Sequence, residues 1–232
     1  EFNKPIWSLH LAIYLCKTFF LRSFSKAEEE VIIERIEFEI EKQLVALSSA
    51  ILYVLDEKSI LSELEYGAKL YLTRDNWKCI GSGVNYNLAK FTSKRLISSI
   101  GRACSFDVLE NHKHIDMSAE SAVIVFLSNI FKKGYQEDAF SEIEKLVSHN
   151  NLPILITNIG DNRFDNFSVL VNERSERATN LSVPVIKVPT VGQQYSYVVN
   201  VLIIEIFIKK IKGLIIRNNQ YQKKINNSSL RN

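Results

Sequence analysis

Short apolar runs and longer segments of helical periodicity alternate along most of this chain. The apolar runs predict five strands, at residues 78–80, 121–127, 153–158, 167–171 and 183–188. The run at 121–127 is apolar on both faces, as a central parallel strand is, so residues 123–126 are expected at or near the centre of a sheet. Pro184 cannot donate a ladder hydrogen bond, which places the last strand nearer an edge.

Apolar residues at helical spacing predict the helices. These lie at residues 6–22, 25–47, 48–55, 59–72, 88–100, 137–148 and 194–210. Ser25 and Glu28 form a capping box for the second helix, and Gly101 and Asn150 end the fifth and sixth. Beyond Gly213 the chain is polar and rich in amide side chains, a composition typical of disorder.

Alternating strands and helices indicate an α/β fold with a parallel sheet covered on both faces. The first helices precede this alternation and form an N-terminal helical extension. Their acidic residues, concentrated between positions 28 and 41, predict a solvated helix face and not a metal site.

Composition narrows the class of protein. The chain has 232 residues, of which 46% are hydrophobic and 24% charged, which is ordinary for a globular protein. A net charge of +3, partly concentrated in the C-terminal tail, argues against a nucleic-acid partner. The most apolar run, 198–208, is interrupted by Asn200 and Glu205 and is too short to span a membrane.

The three cysteines, Cys16, Cys79 and Cys104, lack metal-ligand spacing and are odd in number, which favours a reduced, cytoplasmic protein. No signal peptide is visible at the N-terminus. The sequence starts at Glu1 and not at Met, so we expect a fragment or a processed chain.

A glycine turn carries the first candidate for chemistry. Gly81-Ser82-Gly83 joins the first predicted strand to a helix, an arrangement that lets backbone N–H groups and the helix N-terminus approach an anionic ligand. On these residues alone, a tight strand-to-helix turn without a ligand is the simpler interpretation. A nucleotide-binding Rossmann enzyme is disfavoured, because Tyr86 stands where that motif has its third glycine.

The segment from Gly81 to His114 resembles the second sugar-isomerase (SIS) subdomain of the isomerising glutamine–fructose-6-phosphate aminotransferases. That family reads G-R-G-x-x-Y, then a helix with L-K-L-K-E-I-S, then E-L-K-H-G-P, and the two align here without a gap. Tyr86 falls on the family tyrosine, and Lys113-His114 fall on its Lys-His pair. Ser98 falls on the catalytic glutamate, and Asn111 on the glutamate of E-L-K-H.

The resemblance implies a fold and a division of the chain. The fold is an SIS-type five-stranded parallel sheet flanked by helices. Residues 1–72 would be an N-terminal helical segment containing the end of a preceding SIS subdomain and a linker, residues 73–213 the SIS domain, and residues 214–232 a polar tail.

The resemblance also implies a site. For catalysis it offers His114 and Lys224, the latter eleven residues after Lys212-Gly213 as in the family, and Glu110 is close enough to the family's loop glutamate to be recruited. Candidate substrate-binding residues are Gly81, Ser82, Gly83, Asn85, Tyr86, Ser98 and Lys113. Neither a cofactor nor a metal is implied. Histidine suits ring opening, because its charge changes near neutral pH.

Two functions remain open at this stage. The first is binding or isomerisation of a hexose phosphate or amino-sugar phosphate by a homo-oligomer. The second is a catalytically degenerate SIS module for sugar-phosphate sensing or subunit pairing, which Ser98 favours because a serine hydroxyl cannot abstract a carbon-bound proton unaided. The family's S-x-S-x-x-T phosphate loop is absent here, so a partner subunit or a preceding half would have to complete the phosphate site.

Overall fold

The computed structural model describes residues 26–109, 111, 120–128, 133–165 and 182–229. The chain forms two compact units, residues 1–46 and 47–232. The described part of the first unit is helical, and the second unit contains the sheet. In chain order the described elements are α1 (Lys26–Asp56), α2 (Lys58–Tyr71), β1 (Trp77–Gly81), α3 (Val84–Ile100), β2 (Cys104–Asp107), β3 (Ala122–Phe126), α4 (Lys133–Ser148), β4 (Leu152–Asn158), β5 (Val185–Val188) and α5 (Gln193–Ser229).

The five strands form one parallel sheet in the order β2-β1-β3-β4-β5. The register places Cys79, Ile124 and Ile154 side by side across the three inner strands. The predicted α/β class and the five-stranded parallel sheet are therefore confirmed. The predictions that β3 is central and that β5 lies at an edge are confirmed as well.

Side chains alternate between two cores, one on each face of the sheet. Strand residues such as Trp77, Phe126 and Ile156 pack with buried residues of α2, α3 and α5. Val125 and Leu155 point to the other face, which is covered by α4. Helices on both faces explain why β1 and β3 are buried along their whole length.

Left-handed residues end two of the helices as predicted. Gly101 closes α3 with φ of 75°, and its N–H donates to the Ile97 carbonyl. Asn150 follows α4 with φ of 59°, a conformation that asparagine adopts more readily than most residues. These two stops return the chain to the sheet, so that β2 and β4 run parallel to β1.

One strand, β2, was not predicted from the sequence. β2 is only four residues long, and it pairs with β1 at the edge of the sheet. Cys104 is buried, but the other three residues are exposed or half-buried, so they form no continuous apolar run. The strand predicted at 167–171 lies outside the described residues.

The N-terminal helical prediction needs one correction. Helices predicted at 25–47 and 48–55 form the single helix α1, because the Ser48-Ser49-Ala50 junction contains neither glycine nor proline to break it. The helix predicted at 6–22 lies outside the described residues. The division at residues 72 and 213 stays a prediction, while α2 places Ile60, Leu64 and Tyr71 in the core beneath the sheet.

The C-terminal helix is also longer than predicted. α5 was expected to end at Lys210 before a disordered tail, but it continues to Ser229. Leu214 and Ile215 pack against the core beyond the predicted end, and no proline interrupts the segment. None of the described helices, α5 included, combines the length and hydrophobicity that a membrane crossing requires.

Gly213 lies inside α5 and gives a direct test of this longer helix. A Cβ at Gly213 would meet no atom of the described residues within 4 Å, so Gly213→Ala should raise the free energy of unfolding by about 0.5 to 1 kcal/mol through helix propensity. Urea unfolding monitored by circular dichroism measures the change. Gly101→Ala is the matched control, since that site is equally open but has φ of +75° and should be destabilised. A loss of stability in Gly213→Ala would contradict a helix through this position.

Candidate functional site

The order of the strands places a crevice at the carboxyl ends of two inner strands of the sheet. From β1 the chain passes to β2 on one side, and then returns to β3 on the other side of β1. In open α/β sheets this reversal opens a ligand crevice outside the carboxyl ends of the two strands. The candidate site therefore lies between the end of β1 at Gly81 and the end of β3 at Phe126.

The glycine turn after β1 has a separate steric reason for each glycine. A Cβ at Gly81 would lie 2.5 Å from the main-chain oxygen of Asn85, so the start of α3 folds closely over the end of the strand. Gly83 has φ of +59°, and among the described residues a Cβ there would meet nothing within 4 Å. The turn thus packs tightly at Gly81 and is open at Gly83.

Asn85 joins the two strands across the crevice. It is 3% exposed, and its Nδ2 donates to the carbonyl oxygens of Phe126 at 3.2 Å and Ser128 at 2.9 Å. The residue that follows the β1 turn therefore holds the backbone that leaves β3. Both of its amide hydrogens are used in this way, so the described contacts give Asn85 a role in shaping the crevice.

Ser82 and Tyr86 face the neighbouring strand β2. Ser82 is buried, and its Oγ accepts a hydrogen bond of 3.1 Å from the Leu109 N–H. The Tyr86 ring is half-buried, with its centroid 5.8 Å from that of Phe106 in β2. Ser82 thereby fixes the segment after β2 that leads to Glu110.

The N-terminus of α3 points its backbone toward the crevice. Gly83 is the N-cap, and no side chain of the described residues caps this end of the helix. N–H groups at a helix N-terminus carry partial positive charge and suit an anionic group such as a phosphate. Gly83 itself is exposed, so a ligand can approach this end of the helix.

The structure brings together five of the ten predicted site residues, namely Gly81, Ser82, Gly83, Asn85 and Tyr86. Ser98 lies in the last turn of α3, about 20 Å along the helix axis from its start at 1.5 Å per residue. It is exposed, and its Oγ donates 3.1 Å to the Arg95 carbonyl. Ser98 is therefore separated from the crevice by the length of the helix.

The other predicted catalytic residues remain predictions. Glu110, Lys113 and His114 lie outside the described residues. The backbone of Lys224 belongs to α5, roughly 45 Å along the axis from its first turn at 1.5 Å per residue. That first turn follows β5 at the carboxyl edge of the sheet, so α5 carries Lys224 away from the crevice.

Charged residues also lie at the carboxyl end of β4, on the same side of the sheet as the crevice. Thr157 Oγ1 donates 2.7 Å to the Asp161 carboxylate, which also pairs with Arg163. Burial alone would raise the pKa of Asp161, but the hydrogen bonds from Arg163 and Thr157 and the charge of Arg163 hold it below its usual value. Asp161 is therefore an anion balanced by its own cation, and this arrangement shapes the edge without giving it a net charge.

Asn200 was not identified as a site residue from the sequence, whereas Ser128 belongs to the segment 127–129 that the predicted strand end places beside the crevice. Ser128 is fully buried after β3, and Asn200 Nδ2 donates 2.9 Å to its Oγ from α5. A signal was present, because Asn200 interrupts the most apolar run of the chain. Glu205, the second interruption, has a different role, since it forms an ion pair with Arg95 of α3 at 2.5 Å.

Comparison with known proteins adds fold neighbours and no sequence relative. No protein-family model and no curated protein matches the chain. The C-terminal domain of glucosamine–fructose-6-phosphate aminotransferase from Francisella tularensis has a similar fold, with a TM-score of 0.55 over 79% of this chain and 45% of that one, at 12% identity. An E. coli CFT073 protein in complex with A5P gives a TM-score of 0.53 over 77% of this chain and 91% of that one, at 16% identity.

A third neighbour is a Bacteroides fragilis protein described as a phosphosugar isomerase involved in capsule formation. Its TM-score is 0.53 over 78% of this chain and 91% of that one, at 13% identity. The chain has the SIS fold. It spans less than half of the Francisella chain but most of the other two, and the SIS fold that the sequence resemblance implied is confirmed.

Proposed function

We propose that this SIS domain binds a hexose phosphate or amino-sugar phosphate in the crevice between the ends of β1 and β3. The observation that carries the proposal is the Gly81–Gly83 turn at the strand-order reversal. In the part of the chain that the structure describes, this turn is open at Gly83 and is followed by a helix N-terminus without a side-chain cap. The phosphate would be held by backbone N–H groups there. The A5P complex of the E. coli neighbour supports the choice of a sugar phosphate.

Two versions of the proposal differ in turnover. In the first, the domain isomerises the sugar, with His114 opening the ring and Lys224 or Glu110 assisting. In the second, it binds the sugar phosphate for sensing or for pairing with another subunit, without catalysis. The position of Ser98 favours the second version, because a base must lie within hydrogen-bond reach of the proton it removes.

A homo-oligomer and a cytoplasmic location belong to the same proposal. The homo-oligomer is supported by the resemblance to the SIS enzymes, which build their sites across subunits. Cysteine number and spacing support the reduced compartment.

A charge placed at Gly83 tests where the phosphate binds. Gly83→Asp and Gly83→Asn have side chains of the same size and would bear the same backbone strain at φ +59° and ψ −124°, so the two variants differ in charge. A carboxylate about 5 Å from a phosphate should weaken binding roughly tenfold at an effective dielectric constant near 40. We therefore expect Gly83→Asp to bind fructose 6-phosphate about ten times more weakly than Gly83→Asn in calorimetric titration.

Unphosphorylated fructose is the ligand control, and the unmodified chain should bind it far more weakly than fructose 6-phosphate. Glucosamine 6-phosphate in the same titration distinguishes an amino sugar from a neutral one. Equal affinities of Gly83→Asp and Gly83→Asn for fructose 6-phosphate would place the phosphate elsewhere. No binding of any sugar phosphate by the unmodified chain would refute the proposal.

A further inference from the structure

Asn200 is a buried polar residue among apolar neighbours. It lies on the buried side of α5, is 1% exposed, and belongs to a helix whose other buried residues are mostly apolar. The apolar neighbours on this side are Val199, Ile203, Ile204, Phe207 and Ile208. An asparagine at such a position needs hydrogen-bond partners, because burial removes its amide from water.

The hydrogen bonds of Asn200 are incomplete. Its Nδ2 donates 2.9 Å to Ser128 Oγ and 2.9 Å to the Ser196 carbonyl of its own helix. Its Oδ1 is buried and has no hydrogen-bond partner among the described residues. An unpaired buried acceptor is unfavourable, so an apolar residue would remove that cost, although it would also leave Ser128 Oγ without its donor. Local rules broken in this way are expected at functional sites.

The partner of Asn200 connects it to the crevice. Ser128 follows β3 directly, and its carbonyl oxygen accepts the hydrogen bond from Asn85 Nδ2. The three residues thus form one buried chain, Asn85–Ser128–Asn200, which runs from α3 across the end of β3 to α5. Through this chain, α5 holds the backbone on one side of the crevice in register with the glycine turn on the other side.

We propose that Asn200 is a positioning residue of the sugar-phosphate crevice, acting through Ser128 on the loop after β3 and through Asn85 on the Gly81–Gly83 turn. The inference rests on the proposed function for its ligand. It assigns the residue a role in affinity that is separate from its contribution to stability. The ligand need not touch Asn200, which is buried.

Asn200→Leu separates the two roles, because leucine has nearly the same volume without hydrogen-bonding groups and suits the apolar face of α5. We expect this variant to unfold in urea at nearly the same concentration as the unmodified chain, because the loss of the unpaired Oδ1 offsets the loss of the donor to Ser128 Oγ. We also expect its affinity for fructose 6-phosphate to fall at least tenfold. Amide hydrogen exchange at residues 85, 86 and 127, whose N–H groups donate hydrogen bonds beside the crevice, should accelerate at least tenfold, while exchange in α2 stays unchanged.

The control compares two alanine variants of buried asparagines. Asn200→Ala removes the side chain beside the crevice, and Asn151→Ala removes one that lies away from it. Asn151 is also 1% exposed, but its Oδ1 accepts a hydrogen bond from the Ser121 N–H at the amino ends of β3 and β4, away from the crevice. Asn151→Ala should leave exchange at residues 85, 86 and 127 unchanged. If Asn200→Leu binds fructose 6-phosphate as tightly as the unmodified chain, the inference is overturned.

Hydrogen exchange decides the inference even if the ligand proposal fails. If the unmodified chain binds no sugar phosphate, the proposed function is refuted, and faster exchange confined to the crevice in Asn200→Leu would still support the positioning role. Exchange that is unchanged, or accelerated equally throughout the sheet, would overturn that role.

Discussion

Replacing Gly81 with alanine should lower the free energy of unfolding by about 3 kcal/mol, the upper part of the range for overpacked buried sites. The new Cβ would lie 2.5 Å from the Asn85 main-chain oxygen and 2.8 Å from its carbonyl carbon. These are backbone atoms at the start of α3, so no side-chain rotation can relieve the contact. Urea unfolding followed by the fluorescence of buried Trp77, in the same strand, measures the loss.

Gly83→Ala is the control for this prediction. Its Cβ would meet no atom of the described residues within 4 Å, and only the backbone strain of φ +59° and ψ −124° opposes it, which costs about 1 to 2 kcal/mol. Gly81→Ala should therefore be clearly less stable than Gly83→Ala. If Gly81→Ala is as stable as the unmodified chain, then α3 does not begin as close to β1 as the structure has it.

The central strands were predictable because burial on both faces leaves a direct trace in sequence. β3 and β4 are short runs with few polar residues, and only a sheet covered on both sides explains such runs. β2 left no such trace. It is an edge strand with one buried residue in four, and its place beside β1 is determined by the return of the chain after Gly101.

The site was predictable where its geometry is local. Gly81, Gly83 and Asn85 lie within five residues of one another, so one strand, one turn and one helix start determine their arrangement. Ser128 and Asn200 are 72 residues apart. Their contact depends on how α5 packs across the end of β3, which the pattern of either segment alone does not specify.

The resemblance predicted a site that includes both Ser98 and the glycine turn, but the structure places them at opposite ends of α3. Aligning Ser98 with a catalytic glutamate implied a residue near the ligand, but helix α3 separates it from the glycine turn. A sequence alignment identifies which residue of α3 corresponds to the glutamate. The length of the helix determines how far that residue lies from the crevice. The function of Ser98 therefore depends on where the reacting sugar lies.

Ser98→Glu should leave the isolated chain without detectable conversion of fructose 6-phosphate to glucose 6-phosphate. General-base assistance is worth about 10²- to 10⁴-fold, but only when the base reaches the proton it removes. A glutamate at position 98 would lie about 20 Å along the axis of α3 from the crevice. We expect the Ser98→Glu and unmodified chains to have the same low rate in a coupled assay, and the same affinity for the sugar phosphate.

Ser98→Gln is the matched control, because its side chain has the size of glutamate and no basic carboxylate. A rate that rises by 10²-fold or more in Ser98→Glu but not in Ser98→Gln would show that the reacting sugar lies at the far end of α3. Ser98 is exposed there, so another copy or a preceding SIS subdomain could supply the rest of the site. Rapid conversion by the unmodified chain would instead exclude the version without turnover, and His114→Ala would then test whether ring opening depends on that histidine.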